Sequence, residues 1–132
     1  MNNNPQLLNG IRILDLTNVL SGPFATLHLS LLGAEVIKIE NPTDGDLARK
    51  LGNVPELNEK LMGTSFLAQN ANKKSATLNL KEKEAKEIFL KLVKTADVVV
   101  ENFRPDVMGR LGLGYKKLSE MNSRIIYCGI SG

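Results

Sequence analysis

The chain has no tryptophan and only one cysteine among its 132 residues, and aromatic residues make up 5% of it. The lone cysteine, Cys128, excludes a disulfide within the chain and is typical of a reducing compartment. No apolar run approaches the roughly 20 residues that a helix needs to cross a bilayer. Residues 1–10 lack the basic and apolar segments of a signal peptide. We therefore expect a cytoplasmic protein that makes no use of a membrane.

The chain also lacks a large excess of either charge, since 17 basic residues and 14 acidic ones leave a net charge of +3. This mild excess permits an anionic ligand, but no combination of basic and aromatic residues predicts nucleic-acid binding. The sequence also lacks a cluster of metal-ligating residues. With 42% hydrophobic and 23% charged residues, the chain can bury one core, and we expect residues 1–132 to form a single globular domain.

Short apolar segments alternate with helical patterns along the whole chain. Strands are predicted at residues 11–14, 36–39, 75–80, 97–100 and 124–130. Helices or helical turns are predicted at residues 24–32, 64–70, 81–95, 105–111 and 115–121, with irregular structure and one or two helical turns over 47–62. Repeated β-α-β units with short connections predict an α/β fold with a doubly wound, mostly parallel, Rossmann-like sheet flanked by helices.

The clearest local indication of a binding site follows the fourth predicted strand, DVVV at residues 97–100. The polar segment 101–104 comes directly after it, and Pro105 is suited to the first turn of a helix. Ligands of open α/β sheets bind at the carboxyl ends of the strands. The stretch therefore predicts a site without naming its ligand.

Several other polar residues have ordinary structural explanations. They are Asp15, Thr17, His28, Asp44, Asp46, Lys73, Lys74 and Cys128. We expect the first two to orient the turn after the first strand by hydrogen bonds, and the two aspartates of loop 41–46 to belong to a turn. The lysine pair is expected to be solvated, and the histidine and the cysteine to pack in the core.

Five segments together resemble the N-terminal part of the class III CoA-transferase family. In the family's order and spacing they are GIRILDLTNVLSGP at 10–23, LLGAEVIKIENPTDGD at 31–46, NANKKSATLNLK at 70–81, ADVVVENFRPDVMGRLGLG at 96–114 and RIIYCGISG at 124–132. The family contains formyl-CoA:oxalate and carnitine CoA-transferases and the 2-methylacyl-CoA racemases. Each segment alone is a weak signal, but the five cover nearly all of the chain.

The resemblance implies that the chain is the N-terminal part of a longer polypeptide that forms an interlocked homodimer. In the family's transferases, an aspartate forms an enzyme-CoA thioester while CoA passes from an acyl-CoA to a carboxylic acid. That aspartate would lie beyond residue 132, so no catalytic residue is assigned here and the chain alone is expected to be inactive. The expected ligand is coenzyme A or an acyl-CoA, with no metal.

A CoA site needs cations or amide donors for phosphate, apolar walls for adenine and a backbone edge for the pantetheine amides. By resemblance, the residues expected to bind it are Leu20, Ser21, Asn41, Leu78, Asn79, Leu80, Lys81, Asn102, Phe103, Arg104 and Arg110. The first two would lie near the thioester, residues 78–81 near the adenine and phosphates, and residues 102–104 along the pantetheine, with Arg110 towards the phosphates. Bland roles stay open, since Lys81 could be solvated, Asn102 could satisfy backbone groups and Phe103 could belong to the core.

Two positions depart from the family's pattern. Asn41 stands where relatives often place an arginine, which should weaken the nucleotide contact or shift it to Lys81 and Arg110. Leu20 stands where formyl-CoA:oxalate transferases resemble one another in having glutamine. An apolar side chain there argues against oxalate as the acceptor and towards a bulkier or less polar acyl group.

Two alternatives to a transferase stay open. One is a racemase that epimerises the carbon next to the thioester by proton removal and return, and the other is a non-catalytic CoA-binding module. A transferase needs a lone nucleophilic aspartate, whereas a racemase needs a histidine and aspartate pair, so residues after 132 would separate them. Nothing in residues 1–132 is peculiar to racemases, which favours the transferase.

Overall fold

The computed structural model describes residues 6–131, which are organised around one sheet. The strands are β1 (Arg12–Asp15), β2 (Glu35–Glu40), β3 (Lys74–Thr77), β4 (Val98–Glu101) and β5 (Ile126–Gly129). The helices are α1 (Ser21–Leu31), α2 (Pro55–Glu59), α3 (Thr64–Asn70), α4 (Lys83–Val93), α5 (Val107–Arg110) and α6 (Tyr115–Met121), with a 3-10 helix at Leu47–Lys50. Within the described residues, no helix combines the length and the apolar composition needed to span a bilayer.

All five strands are parallel, and their order in the sheet is β3-β2-β1-β4-β5. Ile13 of the central strand β1 pairs with Val36 of β2 on one side and with Val98 of β4 on the other. The chain therefore builds outwards from β1 to β3, crosses back through α4, and continues outwards to β5. This order confirms the predicted doubly wound α/β fold. Its topological switch point lies between β1 and β4, where the two winding directions diverge.

One face of the sheet is covered by α4 and α6. The buried side chains Phe89, Val93 and Leu118 of these helices belong to the same apolar cluster as Leu14 of β1 and Val99 of β4. The outer side of α4 carries lysines and glutamates, as its helical periodicity predicts. This face holds the larger part of the apolar core.

The opposite face is covered by α1, whose Leu29 packs against Ile13 and Val36 of the sheet. Gly33 follows this helix with a φ of 104°, in the left-handed region that suits a glycine at a helix C-terminus. The helix contains no aspartate, glutamate, lysine or arginine. The prediction of a packed His28 is wrong, because its side chain is exposed and its ring lies edge-on against exposed Phe24, with the centroids 4.4 Å apart.

The edge strand β5 is covered on one side only. Side chains alternate along a strand, so Ile125 and Tyr127 pack towards α4 and α6 while Ile126 and Cys128 point to the other face. Ile126 is 62% exposed and Cys128 is exposed as well. The prediction that Cys128 belongs to the core is therefore wrong, because no helix among residues 6–131 covers this part of the α1 face.

Strand β3 is shorter than its sequence pattern predicts. Alternating residues suggest a strand over 75–80, but β3 ends at Thr77, and Leu78 adds one more hydrogen bond from its N–H to the carbonyl of Glu40 at 2.9 Å. The Asn79 side chain then accepts a hydrogen bond from the N–H of Lys81 at 3.2 Å, which turns the chain towards α4. Residues 78–81 thus leave the sheet at its carboxyl edge.

Candidate functional site

A pocket of about 350 Å³ opens at the carboxyl ends of β1, β2, β3 and β4, across the switch point of the sheet. This is the edge at which the sequence places the site. Six of the sequence-predicted residues line the pocket: Asn41, Leu78, Asn79, Leu80, Lys81 and Phe103. They come from three different connections, so only the parallel arrangement of the strands brings them together.

Apolar side chains form two sides of the pocket. Leu78 and Leu80 come from the turn after β3, and Phe103 comes from the segment after β4. Val107 of α5 and Leu111, which follows it, extend the surface that Phe103 begins. A flat aromatic group can bury both of its faces between such walls.

Polar groups occupy the rim of the pocket at the ends of β2 and β3. The side-chain oxygen of Asn41 accepts a hydrogen bond from the N–H of Thr43 at 2.9 Å, which orients its amide in the turn. The ammonium of Lys81 is exposed at the rim. Amide donors and an ammonium are suitable contacts for ribose and phosphate oxygens.

Glu40 is the buried acidic group of the lining, and its charge is balanced within the protein. The guanidinium of Arg49 donates to both carboxylate oxygens of Glu40, at 2.7 Å and 3.0 Å. The same guanidinium lies 3.7 Å from the ring centroid of Phe66, a cation–π contact that holds it in place. The bidentate pair keeps this side of the pocket from repelling an anionic ligand as a free carboxylate would.

Asn102 lies at the end of β4, but its amide is engaged by the backbone. Its oxygen accepts a hydrogen bond from the N–H of Asn18 at 2.8 Å, and its nitrogen donates to the carbonyl of Asn18 at 2.8 Å. These two hydrogen bonds join the exits of β1 and β4 across the switch point. Asn102 therefore shapes the site through Asn18, which itself lines the pocket.

The remaining predicted residues lie around the pocket rather than in its lining. Leu20 and Ser21 are exposed where α1 begins. Arg110 is exposed at the end of α5 and lies 4.0 Å from the carboxylate of Asp106, one turn earlier. A long arginine side chain at this place can still reach a ligand that extends beyond the pocket.

Arg104 borders a second pocket of about 260 Å³ between the ends of β4 and β5. There, Glu101 accepts hydrogen bonds from the hydroxyl of Tyr127 at 3.0 Å and from the N–H of Phe103 at 2.8 Å. Burial, together with the adjacent carboxylate, raises the pKa of the Tyr127 hydroxyl above its usual value. Glu101 therefore fixes the backbone of Phe103, which lines both pockets.

The connection between β1 and α1, residues 16–20, is called the β1–α1 loop below. Its residue Val19 has a φ of 69°, in the left-handed region that a β-branched residue rarely adopts. Such a conformation costs about 1–3 kcal/mol and persists only where surrounding contacts impose it. Gly22 supports the tight path, because a Cβ on it would lie 2.3 Å from the Cβ of Thr17.

Buried charges impose the conformation of the β1–α1 loop. Asp46 accepts a hydrogen bond from the N–H of Val19 at 2.9 Å and Lys38 donates one to the carbonyl of Thr17 at 2.7 Å. The ammonium of Lys38 lies 2.9 Å from the second carboxylate oxygen of Asp46 without the alignment of a hydrogen bond, so this contact is an ion pair. Both side chains are at least 99% buried. Burial tends to raise the pKa of Asp46, but the Val19 N–H and the charge of Lys38 outweigh it, and the pKa lies below its usual value.

A second buried pair holds the start of the same loop. Asp15 accepts hydrogen bonds from the N–H of Thr17 at 2.9 Å and from the hydroxyl of Thr26 in α1 at 2.6 Å, which confirms the predicted orienting role. Lys73 lies 3.0 Å from Asp15, so the prediction of a solvated Lys73 is wrong. Burial lowers the pKa of Lys73, and the Asp15 carboxylate opposes this only in part.

Sequence reasoning missed Lys38 and Asp46, and also missed that Asn18 lines the pocket. A signal was present for Lys38, because a lysine inside an otherwise apolar strand implies a buried acidic partner. The sequence predicts turn chemistry for loop 41–46, and Asp46 does accept the N–H of Ala48, but it also forms a buried ion pair with Lys38 that the turn pattern does not reveal. Asn18 had no signal beyond its place after the first strand.

Comparison with known proteins identifies the group to which this architecture belongs. The family model for CoA-transferase family III matches residues 8–132. The chain belongs to this family. The match confirms the resemblance of the five sequence segments to this family.

Relatives in CoA-transferase family III are much longer than this chain. Succinyl-CoA:glutarate CoA-transferase of Mus musculus is 47% identical over 125 residues, which are 95% of this chain and 28% of that protein. Acetyl-CoA:oxalate CoA-transferase of Acetobacter aceti is 47% identical over 124 residues, which are 94% of this chain and 31% of that protein. The chain therefore spans less than a third of the length of these relatives.

Solved structures of the family share the fold. The crystal structure of Rv3272 from Mycobacterium tuberculosis in its orthorhombic form is 42% identical, with a TM-score of 0.85. The similarity covers 95% of this chain and 34% of that chain. The α/β sheet described above is thus the arrangement that this part of a family III chain adopts.

Proposed function

We propose that this chain is the CoA-binding, N-terminal part of an enzyme that transfers CoA from an acyl-CoA to a carboxylic acid. The observation that carries the proposal is the pocket at the switch point, where Leu78, Leu80 and Phe103 form apolar walls beside the ammonium of Lys81. Walls for an aromatic base next to a cation suit an adenine nucleotide. The names of the relatives, which are CoA-transferases, support transfer over racemisation.

In this proposal the ligand follows the strand order. The adenine lies between the turn after β3 and Phe103, and the phosphates lie near Lys81, with Arg110 at the end of α5 as a second cation. The pantetheine arm then passes the exits of β1 and β4, along residues 102–104. Its acyl end reaches exposed Leu20 and Ser21, where an apolar side chain favours a bulkier or less polar acyl group than oxalate.

The chemistry belongs to the complete enzyme. We infer that an aspartate beyond residue 132 attacks the thioester carbonyl, the carbon–sulfur bond breaks, and the CoA thiolate leaves as a mixed anhydride forms. The thiolate then attacks the aspartyl carbonyl, which releases the donor acid and leaves an aspartyl-CoA thioester. The acceptor acid reverses both steps. Residues of this chain hold the CoA throughout, but the nucleophile lies beyond residue 132, so the chain alone should show no turnover. That the complete enzyme is a cytoplasmic homodimer stays a prediction.

Isothermal titration of the chain with CoA tests the proposal. Wild type should bind CoA, and Lys81→Ala together with Arg110→Ala should weaken the affinity by about tenfold, since each cation loses a charge-assisted contact with phosphate. The matched control is Lys83→Ala together with Lys117→Ala, which removes two exposed lysines outside the pocket lining. No measurable CoA binding by wild type, or equal affinity of both double variants, would contradict the proposed site.

A further inference from the structure

The backbone of the β1–α1 loop is held by side chains at three consecutive residues. The N–H of Thr17 donates a hydrogen bond to Asp15, and the carbonyl of Thr17 accepts one from Lys38. The N–H of Asn18 donates to the side chain of Asn102, and the carbonyl of Asn18 accepts from it. The N–H of the next residue, Val19, is bonded by Asp46. A loop that only connected a strand to a helix could leave these groups to water.

The side chains that hold the loop are themselves immobilised. Lys38 projects from the middle of β2, and Asp46 also accepts the N–H of Ala48 at 2.9 Å, which ties it to the 3-10 helix Leu47–Lys50. Asp15 is bonded by Lys73, which further donates to the carbonyl of Pro23 at 2.9 Å in α1. The loop therefore has little freedom to relax from its strained conformation.

The held loop presents groups to the pocket. Asn18 and Leu16 contribute to the lining, and Val19 and Leu20 carry exposed apolar side chains next to it. Strained backbone that the surroundings over-determine is concentrated at ligand-binding sites, where it lowers the entropy lost on binding. Lys38 and Asp46 do not line the pocket, but they bond directly to the carbonyl of Thr17 and the N–H of Val19 in this loop.

We propose that Lys38 and Asp46 are positioning residues that hold the β1–α1 loop in the conformation that binds the pantetheine and thioester arm of an acyl-CoA. This inference rests on the proposed function. The nucleotide half of CoA would lie at the exits of β2 and β3, where Lys81 and the leucine walls are found, and the loop follows β1, next to β4. The ion pair should therefore affect binding of the arm more strongly than binding of the nucleotide.

The test compares two ligands by isothermal titration, CoA and adenosine 3′,5′-bisphosphate, which lacks the arm. In wild type, CoA should bind more tightly than the bisphosphate. Asp46→Asn keeps an acceptor for the N–H of Val19 but leaves Lys38 without its counter-ion. This variant should lower the affinity for CoA by about tenfold and the affinity for the bisphosphate by less than about twofold. The matched control is Val93→Ala on α4, which removes buried apolar volume away from the loop.

A second variant covers a failure of Asp46→Asn to fold. Lys38→Met combined with Asp46→Asn removes both buried charges and should fold. Because the carbonyl of Thr17 then loses its hydrogen-bond donor, the affinity for CoA divided by the affinity for the bisphosphate should fall as it does in Asp46→Asn. An equal loss of affinity for both ligands, or the same ratio of CoA to bisphosphate affinity in this variant as in the Val93→Ala control, overturns this inference but not the proposed function. Equal wild-type affinity for both ligands also overturns it, and absence of any CoA binding by wild type overturns the proposed function with it.

Discussion

At the scale of single residues, strain and buried charge are concentrated in the β1–α1 loop. Val19 is 40% exposed, so its side chain contributes little to the core, yet its backbone has a φ of 69°. The strain is balanced by the hydrogen bond from its N–H to Asp46 and by the bonds that hold its neighbours. A residue chosen for stability alone would be glycine or asparagine at this position.

Replacing Val19 by asparagine should stabilise the chain. Asparagine adopts the left-handed region more readily than a β-branched residue, and we expect the free energy of unfolding to rise by about 0.5–1 kcal/mol in urea denaturation. The control is Val19→Ala, which removes the apolar side chain but keeps a Cβ in the disfavoured region. Equal stability of the asparagine and alanine variants would show that the backbone is not strained as described.

The residue scale is also where sequence reasoning was wrong most often. His28 and Cys128 lie in apolar patterns that predict core positions, but both are exposed. The basic pair at 73–74 predicts a solvated Lys73, which is instead buried against Asp15. Periodicity tells which residues share a face of an element, but not whether another element covers that face.

At the scale of elements, the order of strands and helices followed from sequence patterns. The helices Thr64–Asn70 and Tyr115–Met121 have the predicted bounds, and each predicted strand exists. Strand β3 ended early because α4 requires a turn before it, which an alternating pattern over residues 75–80 does not reveal. That turn supplies four of the six predicted residues that line the pocket.

The stability contributed by the hydrogen bond between Tyr127 of β5 and Glu101 of β4 should depend on pH. The raised pKa of Tyr127 means that the folded state holds its proton more tightly than the unfolded state, whose value is near 10.0. The stabilising contact with Glu101 is therefore complete below about pH 10 and is lost as the pH rises further. We expect wild type to lose more stability above pH 10 than Tyr127→Phe does, as measured by urea denaturation at each pH.

The control for this prediction is Tyr115→Phe. The side chain of Tyr115 is exposed and pairs with the Tyr127 ring at 6.3 Å between centroids, so it shares the aromatic contact without the buried hydroxyl. Its removal should leave the wild-type dependence on pH intact. Parallel stability curves for wild type and Tyr127→Phe up to pH 11 would refute a buried, hydrogen-bonded hydroxyl.

At the scale of the whole molecule, apolar side chains are exposed on the α1 side of the sheet. Phe24 and Leu31 lie on the outer side of α1, and Ile126 lies on the uncovered face of β5. Large apolar side chains that are exposed on one side of a protein often mark a surface that another part of a protein covers. The family relatives are about three times as long as this chain, which makes their additional polypeptide a candidate to cover these faces.

The exposed faces should bind a hydrophobic dye. We expect wild type to enhance the fluorescence of anilinonaphthalene sulfonate, and Leu31→Lys together with Ile126→Lys to reduce the enhancement by about half or more, since apolar patches bind the dye. A charge-matched control is Ser75→Lys together with Ser123→Lys, at exposed polar positions. Similar fluorescence for the two double variants would mean that the dye binds elsewhere.

The sequence by itself determined the alternation of strands and helices, the parallel doubly wound sheet and the edge of the sheet at which the pocket opens, and its resemblance to known sequences indicated the family. The strands and helices follow from short-range patterns, because side-chain periodicity and turn residues act over a few positions. Only the tertiary structure decided which predicted residues meet. Asn41, Phe103 and residues 78–81 line one pocket, whereas Asn102 bonds to the backbone of Asn18 and Arg110 lies outside the lining.

The tertiary structure alone also decided that Lys38 and Asp46 form a buried pair beneath the β1–α1 loop. Their partnership depends on the packing of β2 and the 3-10 helix against the exit of β1. The physical reason is that the cost of burying a charge is set by all the groups around it in space, which the order of residues along the chain does not specify.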